Sequence, residues 1–313
     1  MPPLKSKNKT DMLETLTQCP VCGENDMKDF LTCKDHTVTQ ENFTIVQCSH
    51  CGFKFTNPRP DEAHIGRYYQ SEEYISHSNT KKGLINRIYH IVRNRALKSK
   101  LKLVNKLVKQ QPKNMLDIGC GTGFFLKTCR NDGWQVTGCE PDQKTRAMAT
   151  ENVGIDILTD IFEEQIKPNQ FSVITMWHVL EHVHQIDKTI QRLYQLLTDQ
   201  GVLVVAVPNA NAHEANQFQS AWAAYDVPRH LYHFTPETIT PLFQRHGFKV
   251  EQHLPMPYDS YYISLLSQKY KAGKNNYLKA VLQGWSSNQW AKKNNHNYSS
   301  VIYIITKGRH LDS

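Results

Sequence analysis

Long hydrophobic runs are absent from this sequence of 313 residues. Its longest uninterrupted aliphatic segment, Val202–Val207, has six residues, whereas a helix that spans a bilayer needs about 20. The lysine-rich N-terminus is not followed by an apolar stretch of signal-peptide length. These absences exclude a transmembrane segment and a secreted protein as first interpretations, and we expect a cytoplasmic protein.

Acidic residues are absent from one segment, between Tyr74 and Leu116. Eleven basic residues lie there, and without them the formal net charge of the chain would fall from +8 to −3. Apolar residues recur among them at helical spacing, which predicts a basic amphipathic helix. Three interpretations stay open: a helix packed by one face with its lysines in solvent, a helix in peripheral contact with an anionic membrane, or a helix that binds nucleic acid. The basic residues are Lys81, Lys82, Arg87, Arg93, Arg95, Lys98, Lys100, Lys102, Lys106, Lys109 and Lys113.

Four of the eight cysteines form two Cys-x-x-Cys pairs, Cys19 with Cys22 and Cys48 with Cys51, and a glycine follows each pair. Such turns place two thiolates on one side of a tight loop, and two turns complete a tetrahedral site for Zn²⁺. Four thiolates leave no open coordination position, so the predicted zinc is structural. The alternative is two disulfides or four unrelated thiols, and the absence of an export signal disfavours disulfides.

The order of predicted elements divides the chain into four parts. Residues 1–15 are predicted to be a flexible tail, 16–58 a small zinc ribbon, and 59–112 a linker with the basic helix. In residues 113–313 short apolar strands alternate with helical segments, and an insert falls at about 253–298. This alternation is typical of a doubly wound, Rossmann-like α/β sheet.

A glycine-rich loop, Asp117-Ile-Gly119-Cys-Gly121-Thr-Gly123, follows the first strand of this sheet and precedes a helix. Glycines let the backbone approach a ligand, and the helix N-terminus offers free amides to a carboxylate or phosphate. The next strand ends at Glu140, whose carboxylate can accept both hydroxyls of a ribose. The loop differs from the dinucleotide fingerprint G-x-G-x-x-G because its third glycine comes one residue early.

In this loop, in Glu140 and in the segments after the later strands, the chain resembles the class I S-adenosylmethionine-dependent methyltransferases. Those later segments contain Asp160, Trp177 and the run from Val207 to Asn209. The resemblance covers about residues 110–250 and implies a seven-stranded sheet with S-adenosylmethionine as cofactor. The cofactor-binding residues that it implies are Asp117, Gly119, Gly121 and Gly123 at the methionine half, Glu140 at the ribose, Asp160 near the adenine, and Trp177.

A cluster of candidate catalytic residues follows the fourth strand. His178, Glu181 and His182 stand at i, i+3 and i+4, so a helix beginning there would turn all three to one side, and His230 lies downstream. Three roles stay open: general-base catalysis by His182 or His230, a second divalent metal that holds the acceptor, or hydrogen bonding around the cofactor pocket. The metal role rests on a resemblance to ubiquinone-pathway O-methyltransferases and to enzymes that methylate small-RNA 3′ ends. These enzymes carry a metal-binding Glu-x-x-Glu-His and a later His, and His178 stands at the first Glu.

The sequence therefore predicts a class I methyltransferase that acts on a small-molecule, lipid-linked or glycan acceptor, with O-methylation favoured. An RNA methyltransferase that grips RNA through the zinc ribbon and basic helix is the first alternative. A non-catalytic scaffold that binds the cofactor is the second alternative.

Overall fold

The structure is a computed structural model that describes residues 12–70, 84–109, 112–274 and 276–308, with only the backbone described in residues 84–92. Most of the predicted tail, residues 1–11, lies outside the described residues. The same holds for residues 71–83 of the predicted linker, which include Lys81 and Lys82.

Five short strands form the N-terminal part of the fold. A central antiparallel strand lies between two neighbours and pairs with both, and the first strand of the chain pairs with the fifth. The central strand buries Phe43, Ile45 and Val46, which gives this small sheet an apolar core. The strands are β1 (Leu13–Glu14), β2 (Met27–Lys34), β3 (Asn42–Cys48), β4 (Lys54–Thr56) and β5 (Arg59–Pro60).

The predicted basic helix is present as α1 (Leu84–Leu107). Its described side chains pack by one face: Leu97 and Leu101 contact the core, and Val104 is buried in it, as is Val108 just after the helix. Over residues 93–109, this is the arrangement expected of a helix packed by one face. Lys100 does not extend into solvent as the expectation required, because it turns inward to the site described below.

The second part of the chain forms a six-stranded mixed sheet in the order β11-β12-β9-β8-β6-β7. Strands β6 to β9 pair in parallel, whereas β12 runs antiparallel to both β9 and β11. The predicted doubly wound α/β fold is confirmed. Its elements are β6 (Asn114–Ile118), α2 (Phe124–Asn131), β7 (Gln135–Cys139), α3 (Gln143–Val153), β8 (Phe171–Trp177), α4 (Ile186–Leu196), β9 (Leu197–Pro208), α5 (His213–Phe218), β10 (Tyr232–His233), α6 (Pro236–Gln244), β11 (Phe248–Pro255), α7 (Asp259–Ala272), α8 (Tyr277–Lys293) and β12 (Ser300–Lys307).

Periodicity explains why these segments form strands and helices. The apolar run Val202–Val207 lies in the centre of the sheet, where a strand is covered on both faces and needs no alternation. Helix α4 buries Ile186, Ile190 and Leu193, which recur at i, i+4 and i+7 on the face toward the sheet.

The predicted seventh strand is reduced, within the described residues, to a single parallel bridge between Cys139 and Leu158. The amide of Leu158 donates to Gly138, and its carbonyl accepts from Glu140. This short segment still lies along the outer side of β7, at the edge where a seventh strand is expected. One pair of hydrogen bonds holds it there instead of a ladder.

Two connections complete the fold. Strand β10, from the second part of the chain, pairs with β4 and so extends the N-terminal sheet to four strands. Between β11 and β12, the predicted insert forms a hairpin of α7 and α8. A Cβ added at Gly284 would lie 2.9 Å from the Tyr261 Cα, so glycine permits the close approach of these two helices. Among the helices that the structure describes, none has the length and apolar composition that crossing a membrane requires.

Candidate active site

The glycine loop lies at the carboxyl end of β6, the edge of a doubly wound sheet where ligands bind. Gly119, Gly121 and Gly123 all have positive φ, which only glycine adopts without strain. A Cβ at Gly119 or Gly123 would lie 2.5 Å from a valine methyl group, whereas a Cβ at Gly121 would meet open space. The loop is thus packed against the protein at two glycines and open to a ligand at the third.

Glu140 lies beside this open glycine and is 9% exposed. One carboxylate oxygen accepts the amide of Gly121 at 3.0 Å, and the other accepts the amide of Asp142 at 3.1 Å. Burial raises the pKa of Glu140, although these two amides oppose the shift. Each carboxylate oxygen keeps lone pairs for further donors, as binding a ribose would require.

Asp117 and Lys100 lie under the loop, near enough for their charges to influence each other. Asp117 accepts the hydroxyl of Thr175 at 2.6 Å, and burial raises the pKa of its carboxyl to about 7. Burial lowers the pKa of Lys100, and the negative charges of Asp117 and Asp259 oppose this shift without cancelling it. The ammonium of Lys100 also lies 4.1 Å from the ring centroid of Trp177.

Trp177 is the last residue of β8, and Asp160 follows the segment that pairs with the end of β7. The indole N–H of Trp177 is buried and has no acceptor among the described residues, so it can donate to a ligand. Asp160 is exposed and accepts the amide of Phe162 at 2.6 Å, and its carbonyl lies near Cys139 at the end of β7. The structure therefore brings all the predicted cofactor residues to the same edge of the sheet.

The expected helix that begins at the cluster of His178, Glu181 and His182 is wrong in its first turn. His178 has a positive φ of 58°, residues Leu180–His182 form a 3₁₀ turn, and the α-helix begins only at Ile186. The turn still brings His178 close to Glu181, at 3.4 Å between Nδ1 and Oε1. The Nε2 atom of His178 lies 3.0 Å from the carboxylate of Asp259. Burial would lower the pKa of His178, but the two carboxylates raise it to about 10.

Glu181 is fully buried; its Oε1 faces the charged imidazole of His178 at 3.4 Å, and its Oε2 has no hydrogen-bond partner among the described residues. Burial would raise its pKa, but the neighbouring imidazoles outweigh this effect and lower it. Glu214 is buried to the same extent, yet its two oxygens accept the hydroxyls of Ser287 and Ser299. Unlike Glu214, the Glu181 carboxylate thus keeps one buried oxygen, Oε2, without a donor, and a bound cation would satisfy that oxygen.

His182 and His230 lie beside Glu181 with their rings edge to face, 4.6 Å between centroids. The Nδ1 of His182 lies 3.0 Å from the carbonyl of Arg229, and the Nδ1 of His230 lies 2.9 Å from that of Ala224. A carbonyl can only accept, so the Nδ1 of His230 carries the proton and its Nε2 lone pair is available. The Nδ1 of His182 also lies 2.9 Å from the hydroxyl of Tyr69, which can donate or accept, and the Nδ1–H tautomer is the one that satisfies the carbonyl of Arg229. Burial, with the charge of His230, lowers the pKa of His182 to about 4, which keeps it neutral.

One ligand atom from each of Glu181, His182 and His230 lies within 4.8 Å of the others. Two imidazoles and one carboxylate suit a divalent metal, and three protein ligands leave coordination positions open for an acceptor. Carbonyls that fix the far nitrogen of each histidine are the usual second partners of metal-binding imidazoles. The residues present therefore fit a catalytic metal, and His178 lies next to this group without belonging to it.

The four predicted zinc ligands also meet. The Sγ atoms of Cys19 and Cys51 are 3.6 Å apart, those of Cys22 and Cys48 are 3.5 Å apart, and all four lie within 4.8 Å of one another. A tetrahedral site with Zn–S bonds of about 2.3 Å has S–S separations of about 3.8 Å. All four thiols are free, and the separations fit a metal better than disulfides.

The N-terminal sheet supports the histidine cluster directly. The Thr56 hydroxyl donates to the carbonyl of His230 at 2.8 Å. Arg229 is 2% exposed; it forms a bidentate pair with Asp226 and also donates to Asp35 and to the carbonyl of Tyr68. The residue next to His230 is therefore anchored in both parts of the fold.

Two residues of the site were not predicted from the sequence, Lys100 and Asp259. A signal for Lys100 was present, since it lies three residues after Leu97 and four before Val104, on the packed face of α1. The sequence signal for Asp259 is weaker: it is the only acidic residue between Glu251 and Asp312.

A family model described as a methyltransferase domain matches residues 89–253. The chain belongs to this methyltransferase family, and the matched residues contain the glycine loop, Glu140 and the histidine cluster.

Curated relatives match a shorter stretch. The ubiquinone biosynthesis O-methyltransferase of Rhodopseudomonas palustris (strain TIE-1) is 31% identical over 102 residues, 31% of this chain and 40% of that protein. The enzyme of the same name from Klebsiella pneumoniae is 30% identical over 106 residues, 32% of this chain and 44% of that protein. The chain thus matches less than half the length of these relatives.

A solved structure of phosphoethanolamine N-methyltransferase 2 from Haemonchus contortus, in complex with phosphomonomethylethanolamine and S-adenosylhomocysteine, is also similar. It is 17% identical, and the match covers 68% of this chain and 53% of that one with a TM-score of 0.47.

Proposed function

We propose that this methyltransferase methylates a hydroxyl oxygen of a small-molecule acceptor, with a divalent metal bound by Glu181, His182 and His230. Free, lipid-linked and glycan acceptors all belong to this class. The observation that carries the proposal is the buried Glu181 carboxylate, whose Oε2 lacks a hydrogen-bond donor among the described residues and which lies with His182 and His230 in one group of potential metal ligands. The name O-methyltransferase of the curated relatives supports oxygen as the methylated atom.

The cofactor in this proposal lies along the glycine loop. Asp117, Gly119, Gly121 and Gly123 hold its methionine half, Glu140 holds the ribose, and Asp160 and Trp177 border it. Bound S-adenosylmethionine supplies an electrophilic methyl group on a cationic sulfur, so alignment and exclusion of water provide much of the rate gain. The open space at Gly121 and the unmatched indole N–H of Trp177 support this placement.

At the acceptor side, the chain supplies charge and position. A divalent ion in this position would lower the pKa of an acceptor hydroxyl and orient its oxygen. Glu181 is buried with a lowered pKa, the carbonyl of Ala224 orients His230, and the carbonyl of Arg229 with the hydroxyl of Tyr69 orients His182. The acceptor proton then leaves to solvent or to a nearby base.

We also propose that Cys19, Cys22, Cys48 and Cys51 bind a structural Zn²⁺ in a module that spans residues 16–58. Residues 59–112 connect it to a methyltransferase domain that spans residues 113–313. The hydrogen bonds from β4 to the His230 segment support a role for this module in holding the acceptor side of the site.

Metal analysis of the purified full chain tests the two sites separately. We expect about two metal ions per chain, one at the four thiolates and one at the triad. Glu181→Gln should lose one ion and Cys22→Ser the other, whereas Glu214→Gln should keep both because its partners are serine hydroxyls. Retention of both ions by Glu181→Gln, with cofactor affinity intact, would refute the triad as a metal site.

A further inference from the structure

An apolar stripe on α8 faces solvent. Its members stand at positions that recur on one side of a helix, and their exposed fractions run from 53% to 73%. Half of the exposed large hydrophobic side chains in the described part of the chain lie on this stripe. Concentrated exposure of this kind marks an interaction surface rather than scattered surface residues. The stripe consists of Tyr277, Leu278, Val281, Leu282 and Trp285.

The stripe cannot turn inward, because the opposite face of α8 is already packed. Small residues, Ala280, Gly284 and Ala291, are buried there against the rest of the protein. At Gly284 the backbone of α7 comes so close that a Cβ would lie 2.9 Å from the Tyr261 Cα. The helix is thus fixed with its apolar side outward.

Charge distinguishes the two partners that could cover such a face, a second copy of this chain and an anionic lipid surface. Residues 260–293, which contain nearly all of α7 and α8, carry six lysines and no Asp or Glu. On α8, Lys279, Lys292 and Lys293 lie on the same chain segment as the stripe. A second copy of this chain would bring like charges together, whereas an anionic lipid surface would meet both the lysines and the apolar side chains.

We propose that α8, supported by α7, docks the protein on an anionic phospholipid bilayer, with the stripe buried among the acyl chains and the lysines at the headgroups. Tyr277 and Trp285 are side chains suited to the membrane–water boundary. The surface belongs to the same hairpin as Asp259, which contacts His178 at the candidate active site. The proposal does not depend on the proposed reaction, because vesicle binding is measured without acceptor or turnover.

Co-sedimentation of the full chain with vesicles tests the proposal. One set of vesicles is phosphatidylcholine alone, and the other is an equal mixture with phosphatidylglycerol. The wild type should bind the anionic vesicles, bind them less as salt is raised, and bind neutral vesicles weakly. Leu278→Ser/Val281→Ser/Leu282→Ser should weaken binding by at least about tenfold.

Two further variants keep the result interpretable. Phe30→Ser removes an exposed apolar side chain from β2 and should bind vesicles as the wild type does. Lys279→Gln/Lys292→Gln/Lys293→Gln leaves the stripe intact and should weaken binding to anionic vesicles by about tenfold or more. Unchanged S-adenosylmethionine affinity in each variant checks that the fold is retained.

Three outcomes would overturn the proposal. The first is a wild type that does not sediment with anionic vesicles at low salt. The second is a triple apolar variant that binds them as well as the wild type. The third is a wild type that is a dimer by light scattering and a triple apolar variant that is a monomer, with neither protein binding vesicles. A second copy of the chain would then cover the stripe.

Discussion

Replacing Arg229 with methionine should destabilise the fold by about 3 kcal/mol, because removing one partner of a buried ion pair costs about 3–5 kcal/mol. The guanidinium is 2% exposed and contacts Asp35, which is fully buried, and Asp226, whose side chain is 24% exposed. We take the lower end of the range for two reasons. Asp226 keeps access to water, and Asp35 keeps the amide and hydroxyl of Thr39 as donors.

Urea unfolding, followed by circular dichroism, measures this loss. Lys249→Met is the matched control, because Lys249 pairs with Glu251 at 2.9 Å with its own side chain 64% exposed. Removing such a surface pair should cost less than about 1 kcal/mol. A loss below about 1 kcal/mol in Arg229→Met as well would refute the view that this residue ties the two parts of the fold together.

The acid dependence of stability gives an independent check on the same pair. The amides of the 37–39 turn and the charge of Arg229 outweigh burial and lower the pKa of Asp35. A carboxyl group with a lowered folded-state pKa contributes stability above its unfolded pKa of about 3.9, and the contribution is lost as pH falls through the folded value. The stability difference between wild type and Asp35→Asn should therefore be constant near neutral pH and shrink in acid. A difference that grows as pH falls would contradict the assignment.

The remaining predictions concern the cofactor and the zinc. Glu140→Ala should weaken S-adenosylmethionine binding at least about tenfold by calorimetry, since one charge-assisted hydrogen bond is worth about 1.5–3 kcal/mol, and unchanged affinity would remove the ribose assignment. Burial raises the pKa of Asp117 to about 7, so its carboxyl gains a proton as pH falls below 7. The affinity for S-adenosylmethionine, whose sulfur is cationic, should then fall relative to the affinity for S-adenosylhomocysteine, whose sulfur is uncharged. If the ratio of these two affinities depends on pH as strongly in Asp117→Asn as in the wild type, the prediction is contradicted. Cys22→Ser should lose zinc and lower the melting temperature, whereas Cys33→Ser, at a buried thiol outside the cluster, should keep its zinc; equal metal content in both would refute the thiolate site.

Local geometry explains which features could be predicted from the sequence. The glycine loop and Glu140 follow strands whose apolar pattern is clear, and parallel strands bring their carboxyl ends to one edge. The two Cys-x-x-Cys turns are equally local. Each of these features depends on a few neighbouring residues, so the local sequence pattern is enough to predict its geometry.

Features that depend on distant elements could not be predicted in this way. The two residues of β10 pair with β4, about 180 positions earlier in the chain, and a two-residue strand has no periodicity to detect. Asp259 reaches His178 because β11, which two other strands separate from β8, ends at the same edge of the sheet. The positive φ of His178 likewise replaced the predicted start of a helix with a turn.

Incubation of the purified protein with methyl-labelled S-adenosylmethionine and a lysate of the source organism tests the proposed function most directly. Products are partitioned into RNA, protein, organic-phase and small aqueous fractions. We predict label in the organic or small aqueous fraction, lost in Glu181→Gln and His230→Ala while cofactor affinity persists, and retained in Glu214→Gln. Label in RNA or protein, or full activity in the Glu181 and His230 variants, would contradict it.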